Sequence, residues 1–321
     1  MLMFQTRITE LFGIQYPILA GAMQWLSRAE LVAAVANGGG LGFIASATFD
    51  TPEDLEAEIR RARELTDKPI GVNLNLFPSA RPQQVEEMAQ VTAEQKIPVV
   101  ETSGHEPPDR LMPTLRAGKV TVMHKCARVR DARSAERAGV DAICIVGTEC
   151  GGHPSMEEIG GSVLIPATVD AVSVPVVAAG GFADGRGLLA ALALGAEGIL
   201  MGTRFMLTTE CILHENVKQR LLQARENETV MIQKSVQNPS RVLRNTVAEQ
   251  VLAMEARGAT LDDLMPLISG LHGRSLMQDG DLEAGTIACS QGVGLMHEVK
   301  SVREVIADIM RQAAERAKVL S

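Results

Sequence analysis

Aromatic side chains are nearly missing from this chain. They make up 3% of its 321 residues, with one Trp (Trp25) and one Tyr (Tyr16). Single-stranded nucleic-acid binders need aromatic platforms for stacked bases, so that class is disfavoured. The core must be filled by Ala, Val, Leu, Ile and the 15 Met instead. Positive charge is also in deficit: the net charge is −8, which argues against unspecific binding to DNA or to an anionic membrane. No apolar run reaches the roughly 18–20 residues of a membrane helix. Residues 1–7 lack the basic start, apolar stretch and cleavage site of a signal peptide. The five cysteines (Cys126, Cys144, Cys150, Cys211, Cys289) are odd in number and dispersed, with no C-x-x-C. That is the usage of a reducing cytosol with free thiols, not of a disulfide framework or zinc site, so a cytoplasmic location without a metal is expected. Two nucleotide motifs are missing as well. There is no G-x-G-x-x-G after a strand, which disfavours a dinucleotide-binding open sheet, and no Walker A loop.

What is present is a repeat of short apolar runs and amphipathic stretches. The runs 17–20, 41–45, 69–74, 98–101, 120–124, 142–146, 174–178 and 198–201 are nearly continuous in Val, Ile, Leu and Ala. Strands buried on both faces have this composition, which implies a parallel sheet covered by helices. Helical patterns at 28–37, 52–65, 83–94, 109–117, 132–138, 163–171 and 185–194 lie between or after them. Eight strand–helix units close naturally into an α/β (β/α)8 TIM barrel. The repeat breaks after Arg204. Residues from about 205 to 300 are expected to form a helical lobe over the barrel mouth, with 1–204 and about 301–321 forming the barrel. The stretch 302–319 is a strong amphipathic helix expected to pack on the barrel.

In such barrels the loops at the C-terminal strand ends carry the chemistry, and those after strands 7 and 8 often bind phosphate. Here strand 7 runs into Ala179-Gly180-Gly181-Phe182-Ala183-Asp184-Gly185, and strand 8 into Gly202-Thr203-Arg204. Glycine lets main-chain N–H groups approach phosphate oxygens, a following helix N-terminus adds positive dipole, and Thr203 adds a hydroxyl. Tight turns without a ligand are the alternative; two such loops on consecutive strands favour phosphate.

At these residues the sequence resembles the nitronate monooxygenase (2-nitropropane dioxygenase) family of FMN-binding barrels over nearly its whole length. Carrying the resemblance are Pro17-Ile18-Leu19-Ala20-Gly21-Ala22-Met23, the stretch 31–42, Gly71-Val72-Asn73-Leu74, Glu149-Cys150-Gly151-Gly152-His153 and the two glycine loops. Met23-Gln24-Trp25, Val122-Met123-His124-Lys125-Cys126 and Gly180 to Gly187 look closer still to a bacterial NADH:quinone reductase branch. FMN-dependent enoyl-ACP reductases share much of the pattern. The resemblance implies that Ala22 and Met23 lie along the flavin, that Asn75 and Lys125 reach its polar edge, and that Gly151 and Gly152 lie near ring and ribityl. Ala179, Gly180, Gly181, Gly202 and Thr203 would hold the phosphate. It differs at 20–23, Ala-Gly-Ala-Met where the family often has Q-[AG]-P-M.

The implied activity is oxidation of alkyl nitronates with O2 to a carbonyl compound and nitrite. The alternatives are NAD(P)H:quinone reduction at the same FMN site, with NADH or NADPH as co-substrate, and enoyl-ACP reduction, whose acidic carrier finds no support in an acidic protein. A small-molecule substrate and no nucleic-acid or membrane partner are expected, with a homodimer as a candidate assembly.

Individual residues carry two readings each. His153 is the catalytic candidate: an ordinary His exchanges a proton near neutral pH, and could take the α-proton of a nitroalkane or orient a quinone oxygen, or else merely bond the local turn. Lys125 ends strand 5 and could stabilise negative charge on a reduced flavin, or be a solvated strand-end lysine. His124, by alternation, points the other way and is structural. Asn73 and Asn75 share a face and need partners, from flavin or from neighbouring strands. The loop 77–82, stiffened by Pro78 and Pro82, could gate the site. Met23 and Trp25 could wall it, and His272 could close over it. Cys150 near His153 raises a Cys–His nucleophile pair, disfavoured by the flavin resemblance.

Overall fold

The computed structural model describes residues 4–77, 84–104 and 106–320, without the side chains of 270–272. Eight strands form a closed parallel barrel in chain order: β1 (Ile18–Ala20), β2 (Leu41–Ala45), β3 (Gly71–Asn75), β4 (Val99–Ser103), β5 (Thr121–Cys126), β6 (Ala142–Val146), β7 (Val176–Ala179) and β8 (Gly198–Met201). β1 pairs with β8 through Ile18, Leu19 and Ala20, which seals the ring. The barrel expected from the apolar runs is therefore the one observed.

The strand boundaries differ at both ends for physical reasons. Pro17, Pro98 and Pro175 each stand just before a strand, because proline has no N–H to donate to a ladder. At the other end β3, β4 and β5 extend beyond the apolar runs to Asn75, Ser103 and Cys126. Polar residues there still pair in register: Asn75 opposite Ser103, and Ser103 opposite Lys125.

Residues facing the barrel axis form a core of their own: Leu19, Leu41, Phe43, Val99, Met123, Cys144, Val177 and Leu200, joined by Ile8 and Phe12. The last two come from a short helix, Arg7–Phe12, that the sequence pattern did not reveal. Thr6 and Thr9 cap it reciprocally and Gly13 ends it in the left-handed conformation. Ile8 and Phe12 are 0% and 2% exposed, each contributing about 1.5–3 kcal/mol by burial. They close the barrel floor, so the opposite end, where β3 to β5 carry polar groups, is the open mouth.

The outer helices bury the larger core, and the helix Val302–Leu320 lays Val305, Ile306, Ile309, Met310 and Ala313 into it. The close approach is set by Gly185, where a Cβ would stand 2.4 Å from the Ile309 carbonyl oxygen.

After β8 the expectation of helices and loops is incomplete. Helices Glu215–Leu222, Thr246–Glu255, Leu261–Ile268 and Gly270–Asp279 are present. So is an antiparallel pair, β9 (Thr229–Ile232) and β10 (Ser240–Leu243), with a small core of Val230, Ile232, Val242, Ala248, Val251 and Leu264. The turn between them uses Gln233 and Gln237 at positive φ, without glycine, which hid the hairpin from turn-residue patterns. β10 reaches the barrel mouth: Arg241 bridges to Gly152, and Val242 to Ala288.

Candidate functional site

The two glycine loops are neighbours, because β7 and β8 pair through Val177–Gly198, Ala178–Ile199 and Ala179–Leu200. Gly180 and Gly181 both adopt positive φ, +103° and +76°. At Gly180 a Cβ would lie 3.0 Å from the Gly147 carbonyl oxygen, so the turn tolerates no side chain. Among the described residues no acceptor takes the N–H of Gly180, Gly181 or Thr203. Main-chain donors at one corner of an open mouth suit a phosphate, which brings acceptors only.

One part of the sequence expectation is corrected. The helix after strand 7, Gly185–Ala193, does not offer its N-terminus. Asp184 caps it by accepting from the N–H groups of Arg186 and Gly187, and Gln312 accepts from Gly185 N at 3.0 Å. Its donors are already spent within the protein.

A strap at 287–291, which sequence patterns did not single out and which bridges Val242 through Ala288, completes this corner. The N–H of Ser290 donates to Thr203 Oγ1 at 3.1 Å, and the N–H of Gln291 donates to the Glu149 carbonyl at 3.0 Å. Gly151 lies so close under the strap that a Cβ would meet the Cys289 main chain at 2.7 Å. The strap thus ties together the loops after β6 and β8, and next to it Gly292 packs on the loop after β7, where a Cβ would stand 2.3 Å from the Gly181 carbonyl oxygen. Gly202 is adjacent to the first-strand loop, where a Cβ would sit 3.7 Å from Met23 Sδ. Ala22 and Met23 are half-buried there, and Ser27 Oγ fixes the Met23 N–H at 2.8 Å.

His153 stands exposed on the loop after β6, its ring centroid 6.0 Å from that of Phe77. Its Nδ1 lies 3.1 Å from the Pro239 carbonyl. A carbonyl only accepts, so Nδ1 carries the proton and Nε2 is the basic nitrogen of the neutral ring. The loop is held on either side by Arg241, whose main chain exchanges hydrogen bonds with Gly152 at 3.0 and 2.7 Å and whose Nε donates to the Thr148 carbonyl at 3.0 Å. Arg241 and Pro239 lie almost ninety residues downstream of the histidine, which is why local sequence could not announce them.

Within the mouth β3 to β5 present a polar cluster. Lys125 Nζ forms an ion pair with Glu101 Oε1. Asn73 Nδ2 donates to Glu101 Oε1 at 3.2 Å and to Ser103 Oγ at 3.3 Å. Ser103 Oγ donates to Asn75 Oδ1 at 3.4 Å. Asn73 therefore takes its partners from the neighbouring strand, while Asn75 lies half-buried at the rim. Burial pulls the Lys125 ammonium toward neutrality, and Glu101 more than offsets this, so its pKa is raised overall. Glu101 went unrecognised in the sequence because it looks like the polar end of an apolar run.

His124 faces away from this cluster, as alternation predicts, sharing a 2.9 Å hydrogen bond with Thr102 Oγ1. Burial lowers its pKa to about 4, so it is neutral and structural. Cys150 is buried and its thiol pushed up to about 12 by desolvation, so it makes no nucleophile with His153. Trp25 is buried at φ +70°, under the guanidinium of Arg274 at 5.1 Å. The proline-stiffened part of the loop 77–82 and the side chain of His272 lie outside the described residues.

Comparison with known proteins agrees with this architecture. The family model described as nitronate monooxygenase matches residues 5–312. Among curated proteins, a (3aS,4S,5R,7aS)-5-hydroxy-7a-methyl-1-oxo-octahydro-1H-indene-4-carboxyl-CoA dehydrogenase of Rhodococcus jostii is 32% identical over 98% of each chain. A probable nitronate monooxygenase of Staphylococcus haemolyticus is 33% identical over 78% of this chain and 82% of its own. Among solved structures, FabK from Thermotoga maritima superposes with a TM-score of 0.92 at 37% identity, over 98% of each chain.

Proposed function

The chain belongs to the nitronate monooxygenase family, a family of oxidoreductases, and on that premise we propose that it uses FMN to oxidise alkyl nitronates with O2 to a carbonyl compound and nitrite. The observation carrying this reading is the set of unengaged N–H groups of Gly180, Gly181 and Thr203 on the same mouth as a histidine of fixed tautomer. Ala179, Gly180, Gly181, Gly202 and Thr203 would hold the phosphate. Ala22 and Met23 would line the ring, Gly151 and Gly152 would lie near ring and ribityl, and Asn75 and Lys125 would meet its polar edge. Bound there, FMN supplies the redox chemistry. The protein's own part is proton handling and orientation. Nε2 of His153 accepts the α-proton of a nitroalkane or donates, once protonated, to a nitro oxygen. Pro239 keeps the ring from turning its other nitrogen to the substrate, and Arg241 keeps the loop in place. Lys125 sets a cation beside the place where negative charge accumulates.

A second reading, NAD(P)H:quinone reduction, is favoured by one observation. The ammonium best placed to attract an anionic nitronate is already ion-paired with Glu101, which weakens its net pull on an anion and suits an uncharged carbonyl acceptor better.

Anaerobic mixing of the FMN-loaded protein with propyl nitronate, NADH and NADPH separately decides between them. Bleaching by the nitronate is expected. Bleaching by a nicotinamide cofactor and not by nitronate would transfer the assignment to the reductase, and a protein that takes up no FMN would overturn both.

A further inference from the structure

We propose that Glu101 is the positioning residue for Lys125, holding its charged ammonium at the barrel mouth where the polar edge of FMN would lie. This rests on the reading that Lys125 meets that edge. Glu101 projects inward from β4, level with Asn73 on β3 and Met123 on β5, and its carboxylate meets Lys125 two residues farther along β5. Its side chain is 0% exposed, whereas that of Lys125 is 22% exposed. The carboxylate is hidden beneath and the cation is turned to the opening. Oε1 takes Lys125 and Asn73. Oε2 is buried and finds no partner among the described residues, a cost that a carboxylate placed for packing alone would not carry.

The other groups around the ammonium are Asn73 and Asn75 from β3, Ser103 from β4, Cys144 from β6 and Cys150 from the following loop. None supplies a compensating charge. Both thiols are pushed up by burial, so they stay protonated. Glu101 is the only ion-pair partner of Lys125 among the described residues. Buried ion pairs seldom raise stability over apolar replacements. An oriented pair at a catalytic mouth is therefore better accounted for by the charge it presents. Without the carboxylate, desolvation acts on Lys125 alone and drives it toward the neutral amine.

The test uses the ligand-free protein first. Competitive acylation with limiting acetic anhydride across pH, read by mass spectrometry, reports the titration of Lys125 against the exposed Lys119. In Glu101→Gln the inflection for Lys125 is expected to move to lower pH, with reaction about tenfold faster near pH 8, the equivalent of about one pKa unit. Glu101→Asp, whose carboxylate is withdrawn by one methylene, should fall between the two, and it supplies the same test if the Gln variant does not fold. An unmoved inflection in either variant overturns the proposal. The second measurement is FMN affinity by fluorescence quenching. In Glu101→Gln it should fall about tenfold between about pH 7 and pH 9, while the unsubstituted protein stays flat. Parallel profiles overturn the proposal. If the unsubstituted protein binds no FMN, the functional reading fails, whereas the acylation profile still decides whether Glu101 holds Lys125 charged.

Discussion

Gly180→Ala isolates what the phosphate corner demands of the main chain. Gly180 sits at φ +103°, a conformation costing an L side chain about 1–3 kcal/mol. Its new Cβ would also stand 3.0 Å from the Gly147 oxygen and 3.1 Å from the Gly147 nitrogen. Main-chain atoms cannot rotate aside as a side chain would, so overpacking adds about 1–3 kcal/mol. The total, about 2–6 kcal/mol, corresponds to a fall in Tm of about 3–9 °C for a chain of 321 residues. Gly139→Ala is the matched control: φ is +88° but nothing lies within 4 Å of a Cβ, so only the conformational cost of about 1–3 kcal/mol applies. Thermal melts and urea titrations of both variants give the difference. FMN titration then separates function from stability: Gly180→Ala should bind at least about tenfold more weakly, and Gly139→Ala unchanged, since displacing the Gly180 N–H removes a charge-assisted bond worth about 1.5–3 kcal/mol. Equal losses of stability and equal FMN affinity in the two variants would refute the reasoning.

His153→Gln should lower kcat by about 10²–10⁴-fold while leaving FMN bound and stability within about 1 kcal/mol, since the ring is exposed; release of FMN in the purified variant would contradict this role. Thr203→Val removes the acceptor for the Ser290 N–H, so it should cost about 1–3 kcal/mol in urea unfolding and weaken FMN binding. His124 gives a pH signature. Its native pKa is lowered from 6.5 to about 4 by burial, so the unfolded chain binds its proton first as pH falls. Its contribution is complete above about pH 6.5 and disappears progressively between there and about pH 4, a loss of about 3 kcal/mol. The urea midpoint should follow that course, and His124→Phe should flatten it.

The barrel was readable in the sequence because both faces of a parallel strand are buried, and runs such as 41–45 and 142–146 therefore have no polar interruption. The same rule failed where the strands approach the site. Asn75, Ser103 and Lys125 end the apolar pattern, yet they remain in the ladder, so the pattern stops where the polar mouth starts. His153, Lys125 and the glycine loops could be picked out as candidates from the sequence because of their places at or after the strand ends and the family resemblance. Glu101, Pro239, Arg241 and Ser290 could not, because each acts through a contact with a distant segment: the ion pair to β5, the carbonyl on His153, the clasp on Gly152 and the N–H on Thr203. The Arg7–Phe12 helix was missed for its brevity, with only Ile8 and Phe12 to mark an inner face.

The strap through Ser290 has a consequence for the order in which the molecule is made. All eight barrel strands have been synthesised by Met201, but the N–H that meets Thr203 and the carbonyl that meets His153 come from later residues. A growing polypeptide can close its ring of strands well before it owns a finished mouth. The groups that finish the mouth are therefore made after the strands, and the helix Val302–Leu320, which completes the outer core, is made after both.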